Sequence, residues 1–156
     1  MALRRIYARF RRSRASGRKG VTLFEVVIVS AIAALLIAEG LPIAWEFYQK
    51  IELQSEKQNI TAYLIAARAR AMANKDQSPN GLYIDAANAT IFEGASYASR
   101  NTAQDLAFPR SKIVVVSGAL EIIFSQLSGT TTAATTTLSV PVASTTVVIN
   151  PEGMVQ

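Results

Sequence analysis

Neither cysteine nor histidine occurs anywhere in this sequence. The first absence excludes disulfides, thiolate nucleophiles and thiolate metal ligands, and the second removes the commonest general base and most zinc sites. A domain of this chain placed outside the cytoplasm must therefore hold together by its core alone. The lack of cysteine does not itself fix the compartment, because disulfides are a device of oxidising compartments and not a requirement for them. Acidic residues are missing from the first 20 positions, which carry Arg4, Arg5, Arg9, Arg11, Arg12, Arg14, Arg18 and Lys19. These are eight of the 16 basic residues; the remainder sets eight against 11 acids, so a chain of net charge +5 has a body of −3. A nucleic-acid footprint needs a basic face on the folded part, and the basic residues from Lys50 to Lys112 are scattered among acids, so DNA binding is not expected. Asp85, Glu93, Asp105, Glu121 and Glu152 come with no nucleophile motif and no phosphate loop. No catalytic constellation, cofactor or metal site is expected from that set.

With 156 residues there is room for one domain and an attached element. Residues 1–20 read as a basic leader. From Val21 to Ala38 the only charge is Glu25, and a helix of that length spans ~27 Å, close to the ~30 Å hydrocarbon core of a bilayer. The basic excess before it predicts a leader held in the cytoplasm and everything after Ala38 exported, with lipid as the first partner. A cleavable secretory signal shares the basic and apolar parts of this description, but "LIAEGLP" lacks a small-x-small cleavage site and the apolar run exceeds the usual ~7–15 residues.

Gly40 and Pro42 should bend or interrupt the helix, since proline removes one intrahelical bond and crowds the preceding turn. Helical patterning resumes at once: Phe47, Ile51, Ile60, Leu64, Ala67 and Ala71 form an apolar stripe, "AARARAMAN" is rich in helix formers, and Asn74 with Ser78, Pro79, Asn80 and Gly81 supplies a stop. Beyond it, "GLYID", "ATIFE", "KIVVV", "LEIIFS", "TTLSV" and "TVVIN" are short β-branched or aromatic runs, the mark of an antiparallel sheet. The first two predict a hairpin around Ala-Ala-Asn, and "LEIIFS" with "TTLSV" a longer one around the Thr-rich "QLSGTTTAAT", itself read as a solvated loop. The expected fold is α+β: a long N-terminal α-helix whose second half packs on a small antiparallel sheet. The expected organisation is a leader at 1–20, a transmembrane helix at 21–40, its amphipathic continuation at 41–74 and an exported sheet domain at 75–156.

A basic leader, a glycine, an apolar residue, Thr, Leu, another apolar residue and Glu, running into an apolar helix, are all present in "KGVTLFEVVIVSAIAALL". This stretch resembles the class III signal of type IV pilins and pseudopilins. The resemblance implies a pilin-like fold and cleavage by prepilin peptidase at the cytoplasmic membrane face, between Gly20 and Val21. It further implies N-methylation of Val21, a signal motif of Lys19, Thr22, Leu23 and Phe24, an assembly carboxylate at Glu25, and a helix kink at Gly40 and Pro42. Pro42, 22 residues into the mature chain, stands where that family commonly has a kinking proline. "LEIIFSQLSG" and "VVINPEGMV" are similar to the pseudopilin H group, and the missing C-terminal cysteine pair favours a minor pilin or pseudopilin over a major fibre subunit. Other pilin or pseudopilin subunits are the implied partners. The implied home is the bacterial inner membrane, single-pass with the leader inside, and then an extracytoplasmic filament.

The residues suit such chemistry. Gly20 lets the backbone beside the bond approach a protease closely, and Thr22 can cap the helix. An ionisable side chain in a bilayer costs about 2.5–3.5 kcal/mol at mid-membrane and is a functional suspect. The local reading places Glu25 one turn from the interface, reaching headgroups or an arginine; the functional one gives it a partner in the amine that cleavage creates at Val21. A single-span anchored sensor or binding domain that keeps its leader is the alternative to a filament subunit.

Overall fold

The computed structural model describes residues 20–74 and 77–156; the basic leader, Lys19 included, lies outside the described residues. Helix α1 runs over Leu23–Met72. It starts where the Thr22 carbonyl accepts the Val26 N–H at 3.2 Å, the first bond of the helix ladder, and the Thr22 hydroxyl oxygen accepts the Glu25 backbone N–H at 3.2 Å, which satisfies one of the donors that every helix start leaves orphaned. It ends at Asn74, in the left-handed region at φ 53°, a conformation asparagine tolerates. The Ala71 carbonyl there receives the N–H groups of Asn74 at 3.1 Å and Leu127 at 3.0 Å. The helix runs through Gly40 and Pro42 without interruption; the missing proline N–H leaves the Ala38 carbonyl without its intrahelical donor. The chain divides between Glu39 and Gly40 into two compact units.

Seven strands follow among the described residues: β1 Asn80–Ile84, β2 Asn88–Glu93, β3 Leu106–Pro109, β4 Val115–Gly118, β5 Glu121–Phe124, β6 Ala134–Val140 and β7 Ala143–Ile149. They form two antiparallel sheets, ordered β3-β2-β1-β5 and β4-β6-β7. The α+β expectation of a long helix followed by an antiparallel region therefore holds, with two sheets in place of one. The core residues step by two along the strands, Leu82 and Ile84, Ala89 and Ile91, Ile122 and Phe124, Leu138 and Val140, Val147 and Ile149, and share one core with Leu53, Ile60, Leu64, Ala67 and Ala71 of α1; β1 and β2 are also buried on the opposite face, at Gly81, Thr90 and Phe92. The step of two puts the core residues of each strand on one face.

Several expectations need correction. The apolar stripe of α1 passes through Gln49, Leu53, Glu56, Ile60, Leu64, Ala67 and Ala71, whereas Phe47 and Ile51 are more than half exposed, because the buried period, extended back from Ile60, falls between them. The β1–β2 hairpin forms, but β5 and β6 do not pair: β5 lies beside β1, and β6 between β4 and β7. Seven-residue β6 finds a full-length partner in β7 across the Pro141–Val142 turn, which the four-residue β5 cannot offer. Only the last two residues of the Thr-rich segment, Ala134 and Thr135, are strand, since β6 begins at Ala134; Thr136, the first residue of the expected "TTLSV" run, is buried with its hydroxyl donating to the Ala119 carbonyl at 2.7 Å. Strand β3, "LAFP", had no counterpart among the expected runs.

Two glycines are required by this arrangement. Gly118 carries the chain from one sheet to the other at φ 90°, and a Cβ there would stand 2.5 Å from the Thr135 carbonyl oxygen. A Cβ on Gly81 would meet the Phe92 ring at 2.6 Å. On that outer face the loop after β2 folds back, stacking Tyr97 on Tyr83 with centroids 3.9 Å apart and placing the Arg100 guanidinium 3.6 Å above the Tyr97 ring. The Arg100–Asp105 hydrogen bond, 2.8 Å, raises the arginine further above its ordinary pKa.

Candidate functional site

The start of α1 gathers the residues singled out by the signal. Gly20 is exposed and, among the described residues, has no heavy atom within 4 Å of where a Cβ would lie, so no described residue covers the Gly20–Val21 bond. Val21 is 69 % exposed, and Leu23 and Phe24 project from other sides of the first turn, also exposed. Thr22 acts as the cap. Glu25 is the third helical residue, where a carboxylate is favoured by the positive end of the helix dipole. Threonine and glutamate three apart are the residues of a capping box; in this structure the Thr22 half of it is made.

Val21, Glu25, Val29 and Ala33 follow one another at four-residue steps and, with Val26 and Ser30, bound a shallow hollow of about 290 Å³. The Ser30 hydroxyl donates to the Val27 carbonyl at 2.9 Å, which removes its polarity from that hollow. Of the residues around it, Ser30 and Ala33 are small, and small side chains let another helix approach closely in an apolar medium. Around the hollow the surface is apolar on all sides: Val26, Val27, Ile28, Val29, Ile32, Leu35, Leu36 and Ile37 are all exposed. The most apolar 18-residue window of α1 has mean hydropathy 2.4 and none of it is buried, so this part of the helix is long and apolar enough to cross a membrane. Glu25 makes no ion pair among the described residues; the two pairs found there are Arg100–Asp105 and Arg110–Glu56.

The structure thus brings Val21, Thr22 and Glu25 together at one helix start, while Gly40 and Pro42 are exposed positions of the same helix farther along. Among the described residues no group of three His, Cys, Asp or Glu side chains converges as a metal site.

A second polar centre went unread in the sequence. Arg110, in the turn after β3, donates from Nε to the Glu56 carboxylate at 2.6 Å, with both side chains at least 95 % buried. Its other nitrogens donate to the Asp85 carbonyl at 2.5 Å and the Val114 carbonyl at 3.3 Å. One guanidinium therefore ties α1 to the β1–β2 turn and to the approach to β4. Glu56 occupies a helix position of core period, a hint that it needs a cation, but nothing local identifies which.

No protein-family model, curated protein or solved structure matches this chain.

Proposed function

We propose that this chain is a minor pilin or pseudopilin subunit of a type IV pilus, type II secretion or competence-like filament. Prepilin peptidase cuts it between Gly20 and Val21, and it assembles by packing its apolar helix against those of other subunits. The observation that carries this reading is the Gly20–Val21 bond, uncovered by any described residue, at the head of an apolar helix, with a carboxylate that has no ion pair among the described residues one turn away on the same stripe as Val21. Before cleavage the Val21 nitrogen is a neutral amide; afterwards it is a charged amine, and Val21 is the residue to be methylated. A Glu25 carboxylate from an adjacent subunit then pairs with that amine in a medium of low dielectric, where either charge alone is costly. Lys19, Thr22, Leu23 and Phe24 complete the recognised signal, and Gly40 and Pro42 provide the place where the helix yields on packing. The precursor sits in the bacterial inner membrane with its leader inside, and the sheet region ends on the outside of the filament.

The test is N-terminal sequencing with intact mass of the chain recovered from cells that contain a prepilin peptidase. A mature chain beginning at Val21 is expected, and Met1 or Ala2 as the only N-terminus overturns the reading. Glu25→Ala should leave cleavage intact and remove the subunit from sheared filaments.

A second reading, a single-span anchored binding domain that keeps its leader, is favoured by one observation: Glu25 lies in the first turn of α1, where the helix dipole favours a carboxylate without any neighbour. An uncut N-terminus, with normal export of the sheet region, would select it.

A further inference from the structure

We propose that the outer edge of β4 is a docking site for an extended, acidic segment of another polypeptide, which joins the β4-β6-β7 sheet as an additional strand. Exposed strand edges are templates for pairing, and proteins blunt those they do not use. Three of the four edges here are blunted. Strand β3, four residues long like β4, closes on Pro109, which has no N–H. Along β5 the Ile123 carbonyl accepts the Thr131 hydroxyl at 2.6 Å, and the Glu121 carboxylate accepts the Tyr97 N–H at 2.7 Å. On β7, Val148 exchanges both of its outward backbone bonds with Gln156, at 3.2 and 2.8 Å.

Strand β4 has no such device among the described residues. The Ala119 N–H donates to the Thr135 carbonyl at 3.0 Å, and the register pairs Val115 with Ser139 and Ser117 with Thr137. Antiparallel ladders alternate, so Val115 and Ser117 bond to β6 while the N–H and C=O of Val116 point away from it. Beside this edge lies a cavity of about 440 Å³, lined by Tyr83, Val114 and Leu120 and by the charged Asp85, Arg110 and Lys112. Two of these charges are already committed. Arg110 is held by Glu56 and two carbonyls, and one Asp85 carboxylate oxygen takes the N–H groups of Ala87 at 2.6 Å and Asn88 at 2.7 Å. Lys112 is exposed and makes no ion pair among the described residues. An apolar trough with outward backbone groups and one uncommitted ammonium fits a β-strand with alternating apolar side chains and a carboxylate. All of these groups lie in the unit Gly40–Gln156, so the inference stands whether or not the leader is cut.

The experiment uses the full chain, isotope-labelled in detergent micelles, and follows the Val116 amide. Two blocked peptides of alternating Val and Thr serve as probes, one with a central Asp and one with a central Lys. The Asp peptide should shift the Val116 signal and slow its hydrogen exchange, and the Lys peptide should do neither. Lys112→Glu should reverse that preference, each way by about tenfold or more in affinity. Val116→Pro should abolish binding while the signals of β6 and β7 stay in place, since the replaced N–H faces outward. An unmoved Val116 amide with both peptides overturns the proposal, as does equal binding of the two. Self-association of the chain through β4 without peptide binding assigns the edge to a second copy and overturns it too.

Discussion

Leu35 and Leu64 belong to the same helix, yet the first is 65 % exposed and the second not at all. Around Leu35 the apolar residues cover every side of α1, and no regular polar face separates them; around Leu64 a buried stripe recurs every three or four residues, with Lys57, Gln58, Thr61 and Arg68 off it and Ile65 the exposed apolar neighbour. A helix apolar all round calls for lipid or other helices, whereas a helix apolar on one stripe can complete a small core. One continuous element thus carries two patterns, and its first buried residue, Gln49, falls past Gly40 and Pro42, within the unit that begins at Gly40.

The comparison is broken most severely by removing the charge buried under the second half. Glu56→Ala leaves the Arg110 guanidinium buried without its carboxylate, and a loss of about 3–5 kcal/mol is expected in urea denaturation of the full chain in micelles. Joint replacement of Glu56 and Arg110 by methionine should recover most of that loss. A smaller, more direct contrast comes from the two leucines. Leu64→Ala should cost about 2–5 kcal/mol by opening a cavity, while Leu35→Ala should stay within roughly 0.5 kcal/mol in the same assay. Equal effects would show that the first half of α1 is packed as the second is. The most local effect is expected at the start of the helix. Thr22→Ala should cost about 0.5–2 kcal/mol of local helix stability, read as faster amide exchange at Glu25 and Val26 with an unchanged urea midpoint for the sheet region.

Much of the helix was legible in the sequence because its signals are local. Thr22 precedes an apolar run, Asn74 precedes a cluster of turn residues, and the stripe from Ile60 to Ala71 repeats within a few positions. The hairpin of β1 and β2 was legible for the same reason. The stripe was misplaced before Ile60, since Phe47 and Ile51 are apolar but lie off the face that meets the sheets. Strand β3 was missed because "LAFP" has too few residues to show a period, and it exists through pairing with β2. The candidate site at Gly20–Glu25 was read from a contiguous signal. The structure adds to it the Thr22–Glu25 cap and the hollow beside Val21.

The sequence by itself determined where the long helix begins and ends, that its first half is apolar on all sides, and that positive charge is concentrated before Val21. These are properties of neighbouring residues and need no fold to express them. Only the tertiary structure decided that the strands make two sheets, that β5 belongs to β1 while β6 belongs to β7, that Glu56 meets Arg110, and that β4 keeps an open edge. Each of those depends on which distant segments share one small core. Strands with similar alternation can pair in several ways until burial against α1 selects among them.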